Sequence, residues 1–367
     1  MMSKIYDIWF HKLKLSIYVK KLLLEKVNTF QEMYQVKPQL YRIWGLSEQA
    51  ILLIEKSKQQ LDEYKRILLE CRQEQIEVVG YFDETYPKLL KEIPDPPMVI
   101  YIKGNKEYLS MPAIGIVGAR KCTEYGDRIA RRLGEELADY GITVVSGMAM
   151  GIDAAGHQGA LKQNGATIAV LGTGVNVCYP ECNRRLYNEL LDNGCVVSEY
   201  EPFVKGRPYH FPRRNRIISG LCYGIVIVEA AQRSGSLITA QLALDYNREV
   251  YAVPGYESSR MSQGANELIA HGAKCIFSVK DIIEELPKGL GIKNEIIKKN
   301  SDKMHNQLAL AERIVYAYVS QEPILLEKLK ELLESTQLSY ERLNTSLLQL
   351  EVKGLIKRLP GERYVRI

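Results

Sequence analysis

Between residues 112 and 280, short apolar runs ending in glycine alternate with stretches of helical period, and this alternation limits the chain to one class of fold. "AIGIVGA" is followed by "EYGDRIARRLGEELADYG", in which Tyr125, Ile129, Leu133 and Leu137 share one helical face. Then come "ITVVSG", a helix from about 153, "ATIAVLGTG", a helix near 183–193, "CVVSEY", an arginine-rich stretch, "GIVIVEA", a helix from about 236, and "EVYAVPG". Runs this uniformly apolar are strands buried on both faces, and strands separated by helices pair in parallel. The expected core is α/β, a Rossmann-like doubly wound, mostly parallel sheet.

The flanks read differently. Residues 1–75 carry apolar positions at helical spacing, with "WGLS" turning into a helix capped by Ser47. They predict a helical module, and without a basic turn its expected role is to brace a neighbour. The extended Rossmann-like domain is expected over 76–286. It opens with strand signals and Pro87, Pro94, Pro96 and Pro97, which suit a connector. The polar, lysine-rich segment 287–307 reads as a linker. Residues 308–367 hold three helical segments and then two short strands around Pro360-Gly361, the pattern of a winged helix.

Composition adds exclusions. The chain has 367 residues, 46% hydrophobic and 25% charged, the mix of a folded soluble protein of two or three domains. A formal net charge of +5 is too mild to argue for nucleic acid by itself, so local clustering decides. No run of about 18 apolar residues predicts a membrane span, and no signal peptide is evident. Seven cysteines without a CxxC pair fit a reduced, cytoplasmic setting, and no zinc site or cofactor is expected.

Chemistry is expected at the C-terminal ends of the strands, where glycine turns let backbone N–H groups approach an anion. "GIVGAR" places Gly118 and Arg120 there, and "SGMAMGID" places Ser146, Gly147 and Gly151. "LGTG" adds Gly172 and Gly174, and "RSGSLITA" adds Ser234, Gly235 and Ser236. From Pro202 to Arg216 the cations Lys205, Arg207, Arg213, Arg214 and Arg216 occur with no acid among them. Tyr209 and Phe211 interleave, and Asn215 supplies an amide. Rings plus guanidinium groups along a groove suit single-stranded nucleic acid. The bland alternative is a solvated basic loop, or an arginine paired with Glu199, Glu201 or Glu229. Arg120→Ala or Arg214→Glu is expected to weaken oligonucleotide binding and flatten its salt dependence while leaving the melting temperature nearly unchanged.

Catalytic patterns are poor. GxGxxG and GxxxxGK[ST] are absent, since residues 115–118 are only GxxG. His157 reads as packing or capping, and Asp153 as an N-cap or first-turn acid. A hydrolytic Asp153/Glu229 pair remains the alternative, for an enzyme acting on nucleoside monophosphates. In the tail, Glu341, Arg342, Glu351 and Lys353 cancel on the expected recognition helix, which speaks against groove reading. The wing carries Lys357, Arg358, Arg363 and Arg366 and suits weak backbone contact, and a protein-contact role is favoured over a transcription regulator.

The ordered motifs "GIVGAR", "SGMAMGIDAAGH", "AVLGTGVNVCYP", "SEYEP", "FPRRNRIISGL", "VEAAQRSGSLITA" and "AVPG" resemble those of the DNA processing protein A (DprA) family, also called Smf. The match is strong over 76–280. The resemblance implies a non-enzymatic homodimer that binds single-stranded DNA, tolerates or displaces single-strand binding protein, and loads RecA in natural transformation. It assigns DNA contact to Arg120 and to the segment Phe211, Arg213, Arg214, Asn215 and Arg216, with Lys205 and Arg207 nearby. It likens the N-terminal module to sterile-alpha-motif-like or helix-hairpin-helix units. A remoter likeness is to the lysine-decarboxylase-like (LOG) nucleotide phosphoribohydrolases. Their PGGxGTxxE has no counterpart in "EAAQRSGSLITA", which argues against that chemistry.

Overall fold

A computed structural model describes residues 3–292, 309–320, 323–333, 336 and 338–366. They fall into two compact units, divided between Lys293 and Asn294. Most of the expected linker, from 293 to 307, lies outside the described residues.

The first unit is built on a sheet of nine strands: β1 (Glu77–Gly80), β2 (Val99–Gly104), β3 (Ala113–Val117), β4 (Thr143–Ser146), β5 (Thr167–Val170), β6 (Cys195–Ser198), β7 (Gly224–Ile227), β8 (Glu249–Ala252) and β9 (Lys274–Cys275). Their order is β1-β2-β6-β5-β4-β3-β7-β8-β9. The strands from β6 to β9 in that order are parallel. β1 and β2 form an antiparallel edge, and β2 pairs with β6. Every residue of β3 to β7 is buried, because helices cover both faces. From β3 the chain steps outward through β4, β5 and β6, then returns to lie beside β3 as β7. The order therefore reverses between β3 and β7, and a crevice opens above their carboxyl ends.

Helices α1 (Ser3–Lys12), α2 (Ile17–Leu24), α3 (Phe30–Gln35), α4 (Pro38–Ile43), α5 (Glu48–Lys58) and α6 (Leu61–Gln73) precede the sheet. Ser16, Thr29 and Ser47 cap α2, α3 and α5, each accepting from the backbone N–H three residues on. Trp9, Phe10, Phe30 and Tyr64 share one buried cluster with Val99, Tyr101 and Val196 of the sheet. The module thus braces the β1–β2 side of the sheet rather than standing apart. The remaining helices are α7 (Lys88–Glu92), α8 (Glu124–Asp139), α9 (Ile152–Lys162), α10 (Arg184–Asn193), α11 (His210–Leu221), α12 (Gly235–Asp245), α13 (Gln263–Ala270) and α14 (Lys280–Ile283). The arginine-rich stretch, expected only as a basic segment at the sheet edge, is helix α11. Pro212 is tolerated there because it sits in the first turn, where backbone N–H groups have no intrahelical acceptor.

The second unit is a winged helix. Helices Leu310–Tyr318, Leu326–Leu333 and Tyr340–Val352 pack around Leu329, Leu347 and Leu350. Strands β11 (Ile356–Leu359) and β12 (Arg363–Arg366) form the wing, and the short β10 (Ile324–Leu325) adds to β12. Lys353 donates to the buried Glu312 at 2.7 Å, so one cation of the third helix is spent inside the unit.

Candidate nucleic-acid interface

The crevice between β3 and β7 is a cleft of about 690 Å³. Its walls include the loop after β3 with Gly118 and Arg120, the loop after β7 with Ser234 leading into Gly235 and Ser236 of α12, and one face of α11. Ser234 caps α12, accepting from the Ser236 N–H at 3.3 Å. The α12 N-terminus therefore turns free N–H groups and a partial positive charge toward the cleft.

Helix α11 sorts the cationic stretch by geometry. At about 100° per residue, Phe211, Arg214 and Ile218 share one face, while Arg213 and Arg216 lie well around the helix from Arg214. The structure follows this period. Phe211, Arg214, Asn215 and Ile218 line the cleft with Arg120. Arg213 and Arg216 instead face a second pocket on the other side of α11. Arg216 is buried and ion-paired to Glu199, with Asp95 at 3.4 Å. Arg213 lies 3.4 Å from Glu199 with its side chain 56% exposed. The cations expected along one groove therefore divide between two sides of α11, and the acid weighed as a partner, Glu199, lies against both cations of the second face.

Arg214 is 5% exposed and runs under the loop after β4. Its Nη1 donates to the Val170 carbonyl at 2.6 Å, and its Nε has no partner. A side chain on Gly147 would overlap the guanidinium, so residue 147 must be glycine for Arg214 to lie there. Asp153, in the first turn of α9, accepts from the N–H groups of Gly147 at 3.1 Å and Ala149 at 3.4 Å. Burial pushes the Asp153 carboxyl above its usual range, while the Arg214 charge and the loop amides pull it back. Burial likewise lowers Arg214 to about 10; Asp153 opposes this and the neighbouring Arg120 charge adds to it. Two guanidinium groups of like charge thus sit together beside one buried carboxylate. An anion between them would relieve the repulsion.

Beside this charge lies a ring pair. Tyr179 packs against Phe211 at a tilt, with centroids 5.0 Å apart and planes at 33°. Tyr179 is 47% exposed and lines the cleft. The sequence reasoning passed over it, since it stands in the long connection after β5; its place in "VCYP", two residues beyond the LGTG turn, was the available signal. Gly206 and Pro208 reach the cleft mouth, whereas Lys205 and Arg207 are exposed, with Arg207 donating to the Tyr209 hydroxyl at 3.2 Å.

Other expected groups are committed to architecture. Ser146 is fully buried and donates to the Ile116 carbonyl at 2.5 Å, whereas Gly147, packed against Arg214, lines a small recess with Arg120, Tyr179 and Phe211. Gly118 permits close approach of Ile152 and the Glu229 carbonyl. Both Glu229 carboxylate oxygens are occupied, by the Thr123 N–H at 2.9 Å and its hydroxyl at 2.6 Å. Glu229 is absent from the cleft lining, so Asp153 and Glu229 do not act as a pair there. His157 Nδ1 meets the Thr167 hydroxyl at 2.7 Å inside the core, and burial lowers it to about 3.

The sheet and its switch-point cleft define the class: a doubly wound α/β protein with a cleft lined by arginines and an aromatic pair, joined to a winged helix. Within that class, the chain belongs to the DNA processing protein A (DprA/Smf) family. The family model "DNA recombination-mediator protein A" matches residues 77–287, and the "DprA winged helix domain" model matches 305–362. Protein Smf of Synechocystis sp. is 32% identical over 94% of each chain. DNA processing protein DprA of Bacillus subtilis is 38% identical over 73% of this chain and 90% of that one. The X-ray structure of DprA from Streptococcus pneumoniae is similar at a TM-score of 0.68 and 34% identity, over 77% of this chain and 98% of that one. A DprA structure from Helicobacter pylori, described as giving insight into single-stranded DNA binding, is similar at a TM-score of 0.53 and 31% identity, covering 57% and 94%. No helix among the described residues is long and apolar enough to cross a membrane.

Proposed function

We propose that this protein binds single-stranded DNA in the switch-point cleft and delivers it to RecA during recombination, as in the uptake of incoming DNA in natural transformation. One observation carries the binding step: Arg120 and Arg214 lie together beside the Tyr179–Phe211 pair, whose Tyr179 ring is exposed. The cations take a phosphate and the rings take a base. The α12 N-terminus, through Ser234, Gly235 and Ser236, holds a second phosphate oxygen, and Asn215 stands beside it, 3.5 Å from the Gly235 carbonyl. Arg213, Arg216, Lys205 and Arg207 belong to the outer course of the strand. A duplex does not fit this arrangement, because its bases are already stacked and paired.

The single-stranded DNA bound by the H. pylori relative supports this assignment. Delivery to RecA, tolerance of single-strand binding protein, homodimerisation and a cytoplasmic site of action extend it by family membership. No bond-breaking step is assigned to the cleft.

The test is fluorescence anisotropy with single- and double-stranded oligonucleotides across a salt series. The native chain should prefer the single strand, and Arg120→Ala should weaken that binding. Equal affinity for both forms, or no effect of the substitution, would refute the cleft as the DNA site. RecA filament growth on coated single strands, with and without the protein, tests delivery.

A further inference from the structure

The second pocket has a chemistry of its own. It measures about 360 Å³ and lies where the segment joining α1 to α2 meets the end of β6 and the far face of α11. Lys20, Arg213 and Arg216 face it, against Asp95 and the buried Glu199. Lys12 and Glu201 also reach it but are paired with each other at 2.7 Å. With Lys14, which also lines the pocket, four cations therefore meet two carboxylates.

The cations are not used up. Arg216 is 5% exposed, and its Nη1 and Nε have no hydrogen-bond partner, although Glu199 and Asp95 neutralise its charge. Lys20 donates only to the His11 carbonyl, at 3.3 Å, and forms no ion pair among the described residues. A buried guanidinium N–H without an acceptor is costly, and an anionic oxygen would satisfy it. Burial lowers Lys20 to about 8, with the Arg213 and Arg216 charges adding and Asp95 and Glu199 opposing. An anion seated there would reverse that pressure.

We infer that this pocket holds a backbone phosphate of the same DNA strand, after the strand has crossed α11 from the switch-point cleft. This rests on the proposed use of that cleft. A helix with its side chains is about 10 Å across, a span that a few nucleotides cover. Arg214 on one side and Arg213 on the other would then clamp consecutive stretches of backbone. The helical module, through Lys20, thereby joins in holding DNA as well as bracing the sheet.

The experiment compares oligothymidylates of about 6 and about 20 nucleotides, the shorter filling one site and the longer able to reach both. Lys20→Gln with Arg213→Gln should leave short-strand affinity unchanged and weaken the long strand about tenfold. The salt slope for the long strand should fall by about 1.4, two contacts at about 0.7 each. Arg213→Gln alone, at an exposed side chain, guards against misfolding and should give part of the effect. Identical affinity and slope for the double variant at both lengths would overturn the second pocket alone, provided Arg120→Ala still weakens the short strand. Loss of both lengths' dependence on Arg120 would instead strike the cleft. Inorganic phosphate or pyrophosphate bound tightly by the native chain and not by the variant, without a length effect, would assign the pocket to a free anion and overturn the strand path.

Discussion

Arg214 lies directly beneath the backbone of Gly147, and the space that a methyl group on residue 147 would need is filled by its guanidinium. Gly147→Ala must therefore expel Arg214 or shift the loop after β4. We expect a loss of about 1–3 kcal/mol in denaturant unfolding and a parallel loss of oligonucleotide affinity. Native-like stability with native-like binding would show that Arg214 does not depend on this contact.

Arg120 and Arg214 should separate when replaced, although both line the cleft. Arg120 is exposed, so Arg120→Ala should cost affinity, lower the salt slope by about 0.7 and leave the melting temperature unchanged. Arg214 is buried beside Asp153, and Arg214→Glu should also destabilise the fold, by about 3 kcal/mol, because two carboxylates are then buried together. This corrects the expectation that both substitutions spare the melting temperature. Thermal unfolding of the two variants side by side checks it.

Tyr179 contributes a ring face rather than a charge. Tyr179→Ala should weaken single-strand binding by about 1–3 kcal/mol while leaving the salt slope intact. A changed slope with little loss of affinity would remove Tyr179 from the stacking role. Tyr179→Phe should bind as the native chain does.

Lys20 gives a pH signature. Its folded value, about 8, lies below the ordinary value of 10.5, so between these limits the unfolded chain binds more protons than the native one. Stability should then rise from pH 8 toward pH 10.5, with the burial cost of the charged amine fully present below pH 8. Burial of the amine sets the shift, Arg213 and Arg216 add to it, and Asp95 and Glu199 oppose it. Lys20→Met should remove this segment of the pH profile, and an unaltered difference between native and variant across the window would contradict the burial of Lys20.

Much of the fold was legible because strand and helix impose different periods on one chain. Uniformly apolar runs such as "GIVIV" at 224–228 could only be buried parallel strands, and Ser47 announced its helix by local hydrogen bonding alone. The glycine turns marked the rim where Arg120 and Ser234 to Ser236 now stand. The stretch 210–221 was harder. Its clustered charges masked an apolar period, and Pro212 obscured a helix start.

Sequence by itself determined that a doubly wound sheet would form and that cations and glycines would gather at its carboxyl rim, because periodicity and turn chemistry are local properties. Tertiary structure alone decided which cations act together. Two positions along α11 send Arg214 toward Asp153 and Arg216 toward Glu199 on the opposite side, and those acids, far from α11 in the chain, meet it only when α9, β6 and α11 pack. Charge partners depend on distances through space, and spacing along the chain does not encode them.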